Sequence, residues 1–147
     1  MAKNIIIVVI AIIGLSIYLY NNMSDKNIKN NNPQEALLAG GCFWCIEASF
    51  EGLDGVTEAI SGYTGGHTKN PSYEQVSTGT TGHYETVKVI YDANKLSYED
   101  IIDHFFKSID PTDETGQFSD KGSQYKTAIF YANDEEKNIA EKAKAVL

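Results

Sequence analysis

Apolar and polar positions follow two different periods along the chain, and these periods predict its strands and helices. From His83 to Tyr91 apolar side chains recur at every second position, which is typical of a strand with one buried face. From Ser97 to Ile109 they recur every three or four positions, as in an amphipathic helix that Ser97 caps. Further strands are predicted at 35–39, 56–62 and 124–132, and further helices at 43–50, 73–77 and 133–147.

The order of the longer elements is strand, helix, strand, strand, helix, strand, helix. This order is typical of the ferredoxin-like split βαβ arrangement, in which helices cover one face of a largely antiparallel sheet. The predicted fold class is therefore α+β, a two-layer sandwich, preceded by an N-terminal apolar helix.

That apolar helix is predicted from an uncharged segment at residues 5–20. The segment nearly reaches the ~17–25 residues that a membrane span needs, and Tyr18 and Tyr20 lie at its end as interfacial aromatics do. It is either an uncleaved anchor or a cleaved signal peptide, and the lack of a small-residue cleavage site favours the anchor. Both alternatives place the domain outside the cytoplasm and disfavour a cytoplasmic location.

Three regions follow from this pattern. Residues 1–20 form the anchor or signal segment, 21–33 an Asn-rich tether, and 34–147 the folded domain. The formal net charge of −8 disfavours a nucleic-acid partner, because phosphate binding requires a basic surface. Two cysteines are too few for a disulfide scaffold.

Both cysteines lie in one short motif, Gly40-Gly41-Cys42-Phe43-Trp44-Cys45. The glycines permit a tight turn, and Cys42 then lies at a helix N-terminus, which favours a thiolate. Cys45 lies three residues later on the same helix face. The alternatives are a thiol buried as a small apolar side chain and a zinc site. Zinc is disfavoured because the three histidines show no ligand-like spacing.

Glu85 lies on the apolar face of the 83–91 strand, beside Val87. If this end of the strand is buried, desolvation raises the pKa of the carboxyl and makes it a proton donor. If the end is open to water, Glu85 is an ordinary surface acid. The Gly-rich loop at 62–73 is long enough to indicate a functional loop, with a simple connector as the alternative. A second long polar loop is predicted at 112–123.

Six further segments, spanning about residues 38 to 131, form a set. They are Gly41-Cys42-Phe43-Trp44 with Glu47, Ser61-Gly62-Tyr63-Thr64-Gly65-Gly66, Asn70-Pro71-Ser72-Tyr73-Glu74-Gln75-Val76, Thr81-Gly82-His83-Tyr84-Glu85, Asp110-Pro111-Thr112 and Asp120-Lys121-Gly122-Ser123-Gln124-Tyr125. Together, and in this order, they resemble one family, the A-type peptide methionine sulfoxide reductases.

The resemblance implies a nucleophile at Cys42 and an acid at Glu85. It also implies that the hydroxyls of Tyr73 and Tyr125 contact the sulfoxide oxygen, and that Phe43 and Trp44 surround the sulfoxide methyl group. Asp120 then binds the main-chain amide of the substrate. The family takes the S epimer of the sulfoxide in oxidised proteins and passes through a sulfenic acid. The implied enzyme binds no metal or organic cofactor, requires an external thioredoxin-like reductant and is a monomer.

Two departures from the family pattern matter. Relatives with a cysteine at the position of Cys45 often carry another cysteine where this chain has Ser119. Either Cys45 resolves the sulfenic acid or an outside thiol does so. Family members also usually continue past the last helix, so the domain is expected to be truncated at its carboxyl end.

Two other functions compete with this interpretation. A C-x-x-C thiol-disulfide oxidoreductase explains Cys42 and Cys45 but gives Glu85 and the Gly-rich loop no role. A non-enzymatic binding module predicts that replacing Cys42 by Ser leaves function intact.

Overall fold

The structure, a computed structural model, describes residues 13–18 and 32–147. Residues 13–18 are helical and exposed to solvent. The chain divides into two compact units, Met1–Asn31 and Asn32–Leu147. All the elements named below belong to the second unit.

Six strands and four helices make up this unit. Its strands, β1 to β6, are Pro33–Ala39, Val56–Thr64, Tyr84–Asp92, Gly116–Gln117, Asp120–Lys121 and Ala128–Phe130. Its helices, α1 to α4, are Phe43–Phe50, Tyr73–Ser77, Tyr98–Lys107 and Asp134–Lys144, and a 3₁₀ turn covers Ser123–Tyr125.

Four of the strands form one sheet in the order β2-β3-β1-β6. All three neighbouring pairs are antiparallel, with Leu38 of β1 opposite Val87 of β3 and Ile129 of β6. Strands β4 and β5 form a separate hairpin. The predicted mixture of helices with a mainly antiparallel sheet is confirmed.

The core lies between one face of the central strands and helices α1 and α3. Alternate residues of β3, and of β1 from Ala36 onwards, are buried there, as the period of two predicted, and the apolar stripe of α3 covers them. Full burial of one such side chain contributes about 1.5–3 kcal/mol. The fully buried apolar side chains include Leu38, Ile46, Phe50, Val87, Val89, Ile101, Ile102 and Phe105.

Local capping signals predicted the helix starts well. The Ser97 hydroxyl accepts from the N–H of Asp100, and the Asp100 carboxylate accepts from the N–H of Ser97, as a capping box requires. Asn133 accepts from the N–H of Glu136 at the start of α4. Helix α4 ends at Lys144 rather than at the predicted Leu147.

The strand boundaries differ from prediction where pairing partners are distant in sequence. Strand β2 continues past Gly62 to Thr64, because Tyr63 and Thr64 pair with Glu85 and Tyr84 of β3. The predicted strand at 124–132 is a 3₁₀ turn followed by the three residues of β6. The predicted loop at 112–123 contains the β4–β5 hairpin.

His104 of α3 is half-buried and contacts α1. Its Nε2 donates to the carbonyl oxygen of Ser49 at 2.8 Å, and its ring centroid lies 4.8 Å from that of Phe50. The side chain therefore links α3 to the end of α1.

The predicted membrane-anchored location, with the domain held outside the cytoplasm, is also wrong. No helix within residues 13–18 and 32–147 is long and apolar enough to cross a bilayer. The other residues of the predicted segment at 1–20, and the tether up to residue 31, lie outside the described part of the chain.

Candidate active site

A tight turn at the end of β1 places Cys42 at the start of α1. Gly41 has a φ of +88°, which glycine adopts without strain. The Cys42 carbonyl accepts from the N–H groups of Cys45 and Ile46 at 3.0 and 3.3 Å, so Cys42 is the N-cap residue. Its side chain accepts no capping hydrogen bond. The thiol therefore lies at a helix N-terminus, where the helix dipole and free N–H groups favour an anion.

Both glycines of the turn are also required by packing. A Cβ on Gly41 would lie 2.6 Å from the Cβ of Gln117, and one on Gly40 would lie 2.7 Å from Cγ2 of Ile109. Gln117 is buried and bonds to the backbone of Asp110 through both ends of its amide. Sequence reasoning missed Gln117, because nothing near it in sequence shows that it packs against the turn before Cys42.

Gly41→Ala is expected to lower the free energy of unfolding by about 2–5 kcal/mol, because left-handed strain adds to the overlap with Gln117. Gly52→Ala is the matched control: Gly52 has a φ of +82°, and a Cβ added there would have no other atom within 4 Å. It should cost only about 1–2 kcal/mol, from strain alone. Urea unfolding of the two variants measures the difference, and equal costs would contradict the close packing at Gly41.

Glu85 is buried beside this helix N-terminus. The residue is 2% exposed, and its Oε2 accepts from the N–H of Phe43 at 3.1 Å. Burial raises the pKa of Glu85; the Phe43 N–H opposes this shift and the charge of Asp120 adds to it. Of the two alternatives for this strand end, the structure shows the buried one. It brings a desolvated carboxyl to the residue that follows Cys42.

Two tyrosine hydroxyls come from separate elements. Tyr73 is the first residue of α2, after a capping box between Ser72 and Gln75. Tyr125 ends the 3₁₀ turn. Burial, followed by the charge of Glu85, raises the pKa of Tyr125, and Tyr73 contributes to the same shift. The fold therefore brings Tyr73, Tyr125 and Glu85 together.

An aromatic cluster surrounds the start of α1. Phe43 is buried, and Trp44 is 62% exposed. Tyr73 stacks on Phe43 and on Trp44, with centroids 6.3 and 6.1 Å apart. Such a cluster offers an apolar surface to a small methyl group and leaves Trp44 accessible to a larger molecule.

Tyr63 is a fourth member of this cluster, and sequence reasoning missed its place. It lies opposite Glu85 in the β2–β3 register, and its ring centroid is 5.7 Å from that of Phe43. Burial, followed by the charge of Glu85, raises the pKa of Tyr63. The register between β2 and β3 places Tyr63 opposite Glu85. This register could not be predicted from the sequence, because a long loop separates the two strands.

Asp120 reaches the same region from the β4–β5 hairpin. Its charge acts on Glu85, Tyr125 and Cys45. An ion pair between Lys121 and Asp113 holds the hairpin to the preceding loop.

Cys45 lies next to Cys42 and is exposed. Desolvation and then the neighbouring Cys42 raise the pKa of the Cys45 thiol. Both cysteines are free. Cys45 is therefore not buried as a small apolar side chain.

The arrangement places a thiol at a helix N-terminus, a desolvated acid, two hydroxyls and an aromatic surface in one region. Such groups suit nucleophilic attack by sulfur with proton donation to the leaving atom. In the part of the chain that the structure describes, no group of three or more His, Cys, Asp or Glu side chains is placed to hold a metal ion.

The family described as "Peptide methionine sulfoxide reductase" matches residues 34–147. The chain belongs to this family. It is 51% identical over 112 residues to the peptide methionine sulfoxide reductase MsrA of Limosilactobacillus reuteri, covering 76% of this chain and 64% of that protein. It is 46% identical over 136 residues to the MsrA/MsrB protein of Vibrio cholerae, covering 90% of this chain and 36% of that protein. The chain thus spans about one third to two thirds of the length of these relatives.

Solved structures from the peptide methionine sulfoxide reductase family share the fold. Methionine sulfoxide reductase A of Corynebacterium diphtheriae has a TM-score of 0.70 at 32% identity, covering 78% of this chain and 54% of that one. Reduced Mxr1 from Saccharomyces cerevisiae has a TM-score of 0.73 at 30% identity, covering 78% of this chain and 67% of that one. The resemblance inferred from six short segments is therefore confirmed.

Proposed function

We propose that this chain is a peptide-methionine (S)-S-oxide reductase that repairs oxidised methionine in proteins. One observation carries the proposal: the carboxyl of Glu85 is buried and bonded to the N–H of Phe43, directly after the half-buried thiol of Cys42. A proton donor and a sulfur nucleophile at one helix N-terminus are the two groups that sulfoxide reduction requires. Membership of the family supports the same reaction.

In the proposed reaction the Cys42 thiolate attacks the sulfoxide sulfur. Glu85 gives its proton to the sulfoxide oxygen, with Tyr73 and Tyr125 donating hydrogen bonds to that oxygen. The attack forms a bond between Sγ of Cys42 and the substrate sulfur. The protonated oxygen then moves from the substrate sulfur to Sγ, as the sulfur–sulfur bond and the sulfur–oxygen bond of the substrate break. Methionine leaves as the thioether, and Cys42 becomes a sulfenic acid. The substrate sulfur is thereby reduced by two electrons and Cys42 is oxidised by two.

The remaining site residues bind the substrate in this proposal. Phe43 and Trp44 hold the methyl group, because their rings offer an apolar surface beside Cys42. Asp120 accepts from a main-chain amide of the substrate. Residues 34–147 form the reductase domain, and its strand order β2-β3-β1-β6 supports the ferredoxin-like split βαβ sandwich.

Regeneration requires a second thiol. The exposed Cys45 lies in the same first turn of α1, and its thiol condenses with the sulfenic acid to form a disulfide and water. An external thioredoxin-like reductant then reopens the disulfide. In the alternative, an outside thiol attacks the sulfenic acid directly. The cycle uses no bound metal or organic cofactor; its partners are oxidised proteins and the reductant, and the enzyme acts as a monomer.

A single-turnover assay tests the proposed function. The reduced chain is mixed with a peptide that contains methionine S-sulfoxide, with no added reductant, and the R-sulfoxide peptide is the control. We expect about one methionine per chain from the S epimer and none from the R epimer, because one thiolate supplies one two-electron reduction.

The reduced chain is also tested for the competing activity, the reduction of a protein disulfide. A chain that forms no methionine but reduces a protein disulfide would replace the proposed function with that activity. The buried carboxyl of Glu85 disfavours this outcome, since thiol-disulfide exchange requires no acid at that place.

A further inference from the structure

An exposed aromatic residue lies at the tip of the β4–β5 hairpin in a conformation that disfavours it. Phe118 has a φ of +50°, which glycine adopts freely and large L residues rarely adopt. Its side chain is 71% exposed, the largest exposed fraction of any aromatic residue within residues 13–18 and 32–147. Neither its backbone nor its ring therefore stabilises the isolated fold. An exposed apolar side chain under backbone strain indicates a surface that another molecule covers.

The hairpin places Phe118 beside the proposed active site. Its neighbour Gln117 packs against Gly41, the residue before Cys42. Gln117 is paired with Asp120, whose charge acts on Glu85. Because successive Cα atoms are about 3.8 Å apart, the Cα of Phe118 lies no more than about 8 Å from that of Asp120.

The other exposed aromatics of this region are already paired. Trp44 and Tyr73 stack on each other with an interplanar angle of 15°. No ring contact in the described part of the chain includes Phe118. Its ring is thus free to contact a molecule that enters the site.

We propose that Phe118 contacts an apolar side chain next to the methionine sulfoxide of the substrate and makes the enzyme prefer apolar flanking residues. The inference rests on the proposed function. An extended peptide advances about 3.3–3.6 Å per residue, so a peptide held at Asp120 brings a side chain within two residues of the sulfoxide to Phe118. Covering Phe118 with an apolar side chain removes apolar surface from water.

The test compares S-sulfoxide peptides that carry Leu or Ser directly before or directly after the sulfoxide. Dithiothreitol regenerates the full chain, so no protein reductant contacts the surface. We expect kcat/KM to be about tenfold higher for a Leu peptide than for its Ser counterpart, because the Leu peptide has the lower KM. Phe118→Gly should reduce this ratio to about one while turnover of free methionine S-sulfoxide stays unchanged. Glycine suits the left-handed conformation, so the variant should melt no lower than the parent.

Two further variants make the result specific. Phe118→Asn also tolerates a positive φ and should behave like Phe118→Gly. Ile60→Ser removes an exposed apolar side chain from the opposite face of β2 to Tyr63 and should keep the preference for Leu.

The inference is overturned if the parent shows no preference at either flank, or if Phe118→Gly retains the parent's ratio. Turnover of free methionine S-sulfoxide distinguishes failure of the proposed function from failure of the role proposed for Phe118. A parent that reduces free methionine S-sulfoxide without a flank preference keeps the proposed function and loses the role of Phe118. A parent that reduces neither peptides nor free sulfoxide loses both.

Discussion

Cys42→Ser is expected to abolish single-turnover formation of methionine, from about one per chain to none. A serine hydroxyl stays protonated near neutral pH, so the helix N-terminus has no thiolate to stabilise. The change replaces one sulfur by oxygen and leaves the N–H of Phe43 and its bond to Glu85 in place. The methionine peptide is measured by chromatography, and a thermal melt confirms that the variant is folded.

Cys45→Ser is the matched control, because it makes the same replacement on the same helix three residues later. It should still form about one methionine per chain. Its sulfenic acid on Cys42 then lacks its neighbouring thiol and should persist long enough to be trapped by a carbon nucleophile such as dimedone. The parent should instead lose both thiols. Methionine from Cys42→Ser, or none from a folded Cys45→Ser, would contradict the assignment of the nucleophile.

The second large effect is expected at the acid. Glu85→Gln should slow the single turnover by about 10²–10⁴-fold, the usual contribution of a positioned proton donor. Glutamine keeps an oxygen that accepts from the N–H of Phe43, so the start of α1 should stay in place. The loss would then report the missing proton rather than a displaced helix. Rapid-quench measurement of methionine gives the rate.

Glu74→Gln is the control for a lost carboxylate. Glu74 is exposed and follows Tyr73 on α2, so its removal changes the local charge without removing a buried acid. Its rate should stay within a few-fold of the parent's. Equal losses in the two variants would show that general charge, rather than proton donation by Glu85, controls the reaction.

The pH dependence follows from the direction of the Glu85 shift. Burial raises the pKa of Glu85, so the carboxyl keeps its proton to a higher pH than an exposed glutamate does. The single-turnover rate should therefore fall as the pH rises through this raised pKa. Glu85→Gln should remove that fall. The same sign applies to stability: the protonated carboxyl is the form that burial favours, so its stabilising contribution is present at low pH and is lost as the pH rises.

Local patterns predicted much of the fold. The alternation in β3 placed Glu85 on the same buried face as Val87, and the Ser97 capping box marked the start of α3. These signals depend on neighbours within four residues, so one sequence contains them in full. The two glycines before Cys42 likewise predicted the turn and the helix start as they are observed.

Three placements that the sequence patterns did not predict depend on contacts between distant segments. His104 bonds to Ser49, Gln117 packs against Gly41, and Tyr63 of β2 lies opposite Glu85 of β3. Each partner is tens of residues away in the chain. A period of two or of 3.6 shows which face of an element is buried but not which other element covers it. These placements were therefore beyond what the pattern alone predicts.

The amino-acid sequence already contains the chemical groups of the proposed site: a thiol after a Gly-Gly turn, an acid on an apolar strand face, and a set of motifs that defines the family. How these groups come together depends on the tertiary structure. It buried Glu85 against the start of α1, brought Tyr73 and Tyr125 to the same carboxyl from two separate elements, and exposed Phe118 beside them. The physical reason is that desolvation and the field of neighbouring charges depend on distances in space, which strand register and helix packing set.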